Sequence, residues 1–183
     1  MIIGITGLNC SGKGSVVEFL KEKGFKHFSA RALIKKEILE RNLELSRDNY
    51  IKVANDLRKQ FGPDYIAETL YFEAKNYPNS VIESLRTLSE VNSLRSKGDF
   101  VLLAVEADQK LRYQRAISRN SETDKISFEK FVEQELTEFS SSDEFKQNLK
   151  SCIELADYTI VNNGSFSDLK KEIEDFLKKW NTK

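Results

Sequence analysis

Short β-branched runs alternate along the chain with stretches in which apolar residues recur every three or four positions. Ile2-Ile3-Gly4-Ile5-Thr6 is the first run and stops at Gly7; Val16, Val17, Phe19 and Leu20 then share one helical face. A weaker strand is predicted over Phe25 to Phe28. From Arg31 to about Asn76 the period is helical, with Leu33, Ile34, Ile38 and Leu39 on one stripe and Tyr50, Ile51, Ala54 and Leu57 on another. Gly62-Pro63 breaks that stretch, and Ile66, Leu70 and Tyr71 predict a third helix. Val81-Ile82 is a short strand, and Phe100 to Val105 is a continuous apolar run of the kind buried on both faces of a sheet. A helix over about 109 to 119 follows. Then come a polar stretch from Asn120 to Lys125, a charged helix holding Phe128, Phe131, Val132 and Leu136, and a loop at Ser140-Ser141-Ser142. Tyr158-Thr159-Ile160-Val161 is the last strand, and Phe166, Leu169, Ile173, Phe176, Leu177 and Trp180 give the last helix its apolar face. Five strands separated by helices predict an α/β domain with a parallel central sheet over residues 1–183. Two helical insertions, about 30–76 and 120–150, are too long for plain crossovers.

Composition narrows the possibilities. The 183 residues are 39% hydrophobic and 32% charged, a globular composition able to bury a core without staples. Lys plus Arg and Asp plus Glu are each 29, so no basic surplus speaks for nucleic acid, and none is expected as a partner. Two cysteines, Cys10 and Cys152, make neither a zinc spacing nor a disulfide framework. His27, the only histidine, reads as a packed or exposed residue at a strand end, which leaves no centre for a Ser-His-Asp triad, and a multi-His metal site needs several. No apolar run approaches the ~20 residues of a membrane span, and no signal peptide opens the chain. A cytoplasmic protein is the expectation.

The strongest chemical signal is Gly7-Leu8-Asn9-Cys10-Ser11-Gly12-Lys13-Gly14-Ser15, between a predicted strand and a predicted helix. Glycines let the backbone curl so that several N–H groups point inward, and those groups together with a helix N-terminus favour an anion. Lys13 is placed to reach the terminal phosphates of ATP. The hydroxyl that usually follows the lysine is displaced by Gly14 to Ser15, which is expected to support phosphate or magnesium. Cys10 fills the loop, where nearby Lys13 and the helix N-terminus favour its thiolate. Glu83 ends a strand whose C-terminal end opens toward this loop, and there it can hold magnesium, directly or through water, or orient the acceptor; a helix cap or a solvated Glu is the other reading. Arg86, three residues on, is a candidate for an acceptor phosphate. Arg112, Arg115 and Arg119 fall on one helical face, either as a solvated stripe or as the planar cations that phosphoryl transfer requires. The first insertion adds Arg31, Lys35, Arg47, Asn55 and Arg58, of which one or two are expected to bind phosphate.

Lys13-Gly14-Ser15, together with the placement of the two insertions, resembles the nucleoside monophosphate kinases, adenylate kinase above all. The likeness is closest to small nucleotide-kinase-like proteins, some joined to deoxycytidylate deaminase domains, and covers almost the whole chain. It is carried by Gly24 to Arg31, Val53 to Arg58, Val81 to Arg86 and Ala156-Asp157-Tyr158. The ending from Ala156 to Gly164 also resembles dephospho-CoA kinase, although the acidic residues usual after that family's second strand are missing from Phe28-Ser29-Ala30-Arg31. The resemblance implies a P-loop fold with an acceptor-binding insertion and a mobile lid. It also implies ATP and magnesium as cofactors and a small phosphorylated acceptor, with a deaminase as a possible partner. By the same resemblance Arg115 and Arg119, with Arg112, clamp phosphates at the lid hinge, Arg31 and Lys35 lie nearest the register of the acceptor-binding arginine, and Asn163 sits beside the adenine. A nucleotide-sensing module with little or no turnover remains the reading of another class.

Overall fold

The computed structural model describes residues 1–119 and 126–181. β1 (Ile2–Thr6) lies at the centre of a five-stranded, all-parallel sheet, with β3 (Ser80–Glu83) on one side and β4 (Phe100–Glu106) on the other. β2 (Lys26–Ser29) and β5 (Tyr158–Val161) form the edges, giving the order β2-β3-β1-β4-β5. The register aligns Ile5 with Glu83 and with Leu103, so the P-loop and the end of β3 leave the same edge of the sheet. That edge, where the strand order reverses on either side of β1, is the crevice in which open α/β sheets bind ligands.

Side chains leave the central strands alternately on two faces, and each face has its own core. Ile3, Ile5, Val81, Leu103 and Val105 pack against α1 (Lys13–Glu22) and α9 (Phe166–Asn181). Within α9, Leu169, Ile173, Phe176 and Leu177 are buried, whereas Phe166, which shares their face in the sequence, is exposed. On the other face Ile82, Leu85 and Leu102 pack against the first insertion. That insertion comprises three helices, α2 (Ala30–Glu40), α3 (Arg47–Phe61) and α4 (Tyr65–Ala74). Ser29 and Ser46 cap the first two through their hydroxyls.

Two helices lie where no apolar stripe marks them. α5 (Leu88–Arg95) has only Val91 and Leu94 as buried apolar residues, and is started by a capping box in which Thr87 and Glu90 bond each other's backbone N–H. α8 (Leu149–Glu154) is six residues long. α6 (Gln109–Arg119) and α7 (Phe128–Phe139) lie as the apolar spacing predicts, and Ser140 to Ser142 is a loop. The polar stretch from Asn120 to Lys125, part of the expected lid, falls outside the described residues. Among the described residues no helix is long and apolar enough to cross a membrane.

Candidate active site

The loop between β1 and α1 owes its shape to backbone that only certain residues adopt. Gly7 has φ +133°, and a Cβ there would lie 2.1 Å from the Val105 carbonyl oxygen. Gly12 has φ +108° and is packed so closely by Asn162 that a Cβ would meet its Nδ2 at 2.1 Å. Cys10 is left-handed as well, with φ 58°. α1 therefore begins at Gly12 with no side-chain cap and no acidic residue in its first turn, which leaves its first amides to a ligand.

Lys13 is 9% exposed, and its ammonium donates to the carbonyls of Gly7 (2.7 Å) and Leu8 (2.6 Å). Burial and the nearby Arg86 guanidinium push its pKa down to about 7, although Glu83 and Glu138 pull the other way. A buried ammonium held only by carbonyls is a cation without a full counter-charge, and a phosphate supplies one. Ser11 points the same way: its hydroxyl is buried with no partner among the described residues, an atom that a bound ligand or water would satisfy. The loop thus fits a triphosphate. Glu83 and Ser15 line the same cleft. Among the described residues no three potential metal ligands gather in one place, so these two suit a magnesium ion that takes its remaining oxygens from phosphate and water.

Glu83 is held at both oxygens. His27 Nε2 lies 3.1 Å from Oε2, and the Ser84 hydroxyl donates to Oε1 at 3.3 Å. Burial raises the carboxyl pKa, but the His27 hydrogen bond and the charge on Lys13 outweigh it, and the pKa falls below the ordinary carboxylate value. Ser84 sustains φ 75°, a strained backbone of the kind concentrated at functional sites. His27 is therefore neither a packed nor a merely exposed strand end: it braces Glu83 from the edge strand.

A second cavity adjoins the P-loop cleft, and both are open to solvent. Asn9, Arg31, Ser84 and Arg86 line both. Arg31 stacks over Tyr50 at 4.0 Å. Arg47 and Arg86 both pair with Glu138, which is 3% exposed; Arg47 Nε reaches Oε1 at 2.8 Å and Arg86 Nη1 reaches Oε2. Burial raises the Glu138 pKa, but the two guanidiniums outweigh it and hold the carboxyl below its usual range.

Asn9, Cys10, Gly12, Gly14, Ser15, Lys13 and Glu83 line the P-loop cleft together with Arg115 and Arg119, while Arg31 and Arg86 border both cavities. The other candidates lie elsewhere or are committed elsewhere. Arg112 is 2% exposed and spends its guanidinium on Glu135, the Ala107 carbonyl (2.8 Å) and the Asn9 carbonyl (3.3 Å). Arg58 borders the second cavity but is 1% exposed and forked onto Glu90 through Nε (3.0 Å) and Nη2 (2.8 Å). Lys35 is exposed on α2 and lines neither cavity. Asn163 accepts from the Asp108 N–H at 2.8 Å and joins the exits of β4 and β5. Asn162, the residue before it, is the one that touches the P-loop, donating to the Ser11 carbonyl at 2.8 Å. Arg115 joins the same clasp, reaching the Ser11 carbonyl at 3.4 Å and the Asn162 carbonyl at 2.9 Å. Arg47 stood in the first insertion's set of cations, but nothing in the sequence ranks it above Arg58. Glu138 and Glu135 lie three residues apart on one face of α7, but nothing in the sequence says that this face meets arginines.

The two cysteines differ sharply. Cys152 is buried and its pKa is pushed up to about 12, chiefly by burial, so it should resist alkylation. Cys10 lines the cleft. Mass spectrometry of alkylated peptides should find Cys10 labelled, Cys152 unlabelled, and Cys10 shielded at saturating Mg-ATP. Unchanged Cys10 labelling would place the nucleotide elsewhere.

A parallel sheet of this strand order, a P-loop leading into α1 and a helical insertion after β2 define a P-loop kinase fold. Solved structures of similar shape include TT1252 from Thermus thermophilus, with 22% identity and a TM-score of 0.63 over 98% of this chain and 97% of that one. Shikimate kinase from Bacteroides thetaiotaomicron is another, with 11% identity and a TM-score of 0.60 over 99% of this chain and 98% of that one. Dephospho-CoA kinase from Campylobacter jejuni follows with 15% identity and a TM-score of 0.51, covering 98% of this chain and 96% of that one. The chain itself belongs to the UPF0200 family. It is 33% identical over 181 residues to the UPF0200 protein of Methanocaldococcus jannaschii, which covers 97% of this chain and 89% of that protein. It is 27% identical to the UPF0200 protein of Thermococcus gammatolerans over 98% of this chain and 95% of that one. No protein-family model matches the chain.

Proposed function

We propose that the protein is an ATP- and magnesium-dependent phosphotransferase, one kinase domain acting in the cytoplasm, whose acceptor is a nucleoside or deoxynucleoside monophosphate. The observation that carries this reading is the shared wall of the two cavities. Asn9, Arg31, Ser84 and Arg86 border both, so a triphosphate on the P-loop and an anion among the arginines meet there. An acceptor phosphate is already a nucleophile, and no side chain has to remove a proton from it. One of its oxygens bonds to the γ-phosphorus, the bond from that phosphorus to the β–γ bridging oxygen breaks, and ADP leaves.

The chain's contribution is position and charge. Lys13 and the first amides of α1 hold the triphosphate, while Arg115 and Asn162 keep the loop in shape through the Ser11 carbonyl. Glu83, braced by His27, and Ser15 would hold magnesium, which supplies charge neutralisation at the phosphates when bound. Arg31 and Arg86 stand where donor and acceptor meet. Neither the fold nor the relatives add support for a deaminase partner, and this reading does not include one.

An ADP-forming assay against all ribo- and deoxynucleoside monophosphates, with dephospho-CoA alongside, tests the reading. ADP should form with a subset of the monophosphates, and Arg86→Ala should cut that turnover by ~100-fold or more, the weight of one charge-stabilising group. Turnover with dephospho-CoA alone would overturn the acceptor class. ATP binding without turnover on any acceptor would make the protein a nucleotide sensor.

A further inference from the structure

α7 is anchored by little apolar surface. Of its 12 residues only Phe131 and Glu138 are buried, and its apolar contacts include the Phe128 and Phe131 rings against Tyr113 at 5.1 and 5.6 Å. Its polar anchors are two carboxylates three residues apart, Glu135 on Arg112 and Glu138 on Arg47 and Arg86. An element held mainly by ion pairs rather than by core packing belongs to the less stable part of a fold. The Glu138 anchor grips two cations that line the second cavity.

Glu138 is also out of character with its surroundings. Arg31, Arg47 and Arg86 line the second cavity, and Glu138 is the single acidic residue among the described lining residues. Arg58 borders it too but is neutralised by Glu90. Three guanidiniums against one carboxylate leave two positive charges unbalanced. Glu138 does not exhaust the clamp either: among the described residues Nε and Nη2 of Arg86 have no partner, since Glu138 and Gln147 both take Nη1.

We propose that Glu138 is the resident counter-anion of a phosphate subsite formed by Arg47 and Arg86, and that a phosphate monoester takes those guanidiniums in exchange for the carboxylate, releasing α7. The inference deepens the acceptor reading of the second cavity and rests on it. A monoester dianion brings one more negative charge to this positive surplus than the carboxylate it replaces, and offers more acceptor oxygens. A neutral hydroxyl acceptor could not compete with Glu138 for two guanidiniums. The carboxylate partly neutralises the clamp and holds it closed while the cavity is empty, and repels any anion that fails to replace it.

Calorimetric titration of the full chain with a nucleoside monophosphate, without ATP, tests this. Glu138→Gln keeps the side chain's shape and removes its charge, so it should bind the monophosphate about ten-fold tighter or more, by relief of like-charge repulsion. Arg47→Ala should weaken binding by about ten-fold. Unchanged or weaker binding by Glu138→Gln would overturn the proposal and make Glu138 a permanent brace for the arginines. Hydrogen exchange on the unmodified protein gives an independent reading: monophosphate should speed exchange of the α7 amides, and unchanged or slowed exchange there would overturn the release of the helix. A titration with Mg-ATP in the same samples separates the two levels of the argument. ATP consumed with a neutral acceptor and no monophosphate bound would sink this inference while the phosphotransferase reading stands. Monophosphate binding that tightens in Glu138→Gln while ATP does not bind would uphold the subsite and sink the phosphotransferase reading.

Discussion

Lys13→Ala should lose ~2–5 kcal/mol of ATP affinity, the cost of removing one partner from a desolvated charge pair, or between about thirty-fold and several thousand-fold in Kd. Calorimetry with Mg-ATP measures it, and equal affinity for both proteins would mean that the triphosphate does not sit on this loop. The same lysine makes binding pH-dependent with a definite sign. Its pKa in the ligand-free fold is about 7, against the ordinary 10.5. A base depressed in this way binds its proton more weakly folded than unfolded, so between about pH 7 and 10.5 its burial becomes less costly and stability rises with pH. A phosphate beside it favours the charged form and pulls the pKa back up. At pH 8 the free protein carries this proton on roughly a tenth of its molecules by the pKa just given, so ATP binding should take up close to one proton. Lys13→Met should abolish that uptake. Titrations in buffers of different ionisation enthalpy read it directly, and an uptake near zero in the unmodified protein would contradict the buried, uncompensated ammonium.

Glu90→Ala should destabilise the fold by ~3–5 kcal/mol, since it strands a buried guanidinium. Glu90 is fully buried; its Oε1 takes both Nε and Nη2 of Arg58. Its Oε2 takes the backbone N–H groups of Arg86 (2.8 Å) and Thr87 (3.1 Å). One carboxylate therefore fixes α3, starts α5 and sets the backbone of the arginine shared by the two cavities. For a chain of this size the loss corresponds to a drop in Tm on the order of 10 °C. Glu90→Gln, which keeps one acceptor oxygen, should lose less. Thermal denaturation of both variants decides the point, and a loss under about 1 kcal/mol for Glu90→Ala would mean that water reaches Arg58.

The elements easiest to read in the sequence are those whose signals are local. The runs at Ile2 to Thr6 and Phe100 to Val105 become β1 and β4 because both strands are covered on both faces. The P-loop is equally local, since Gly7 and Gly12 are needed for backbone angles set within a few residues of each. α5 went unread because two apolar residues make no stripe, although Thr87 and Glu90 spell a capping box. Side-chain commitments were harder to see, because partners are chosen by the tertiary fold. Arg58 and Glu90 are 32 positions apart, and Arg47 and Glu138 are 91 apart. Arg112, Arg115 and Arg119 do sit on α6 at helical spacing, yet Arg112 turns to Glu135 and Arg115 to the Ser11 carbonyl. Helical spacing says which side chains share a face and nothing about what that face meets. His27 was misread for the same reason: its partner belongs to the neighbouring strand, 56 positions away.

The account stands on phosphoryl transfer across the wall shared by the two cavities, and ATP labelled in its γ-phosphoryl group tests it most directly. Incubated with magnesium, the protein and the best monophosphate acceptor, the label should move onto the acceptor's phosphate as a new phosphoanhydride, identified by mass spectrometry, and Arg86→Ala should nearly abolish the transfer. Label released only as inorganic phosphate, whichever acceptor is present, would show that the P-loop hydrolyses ATP and that the second cavity is not an acceptor site.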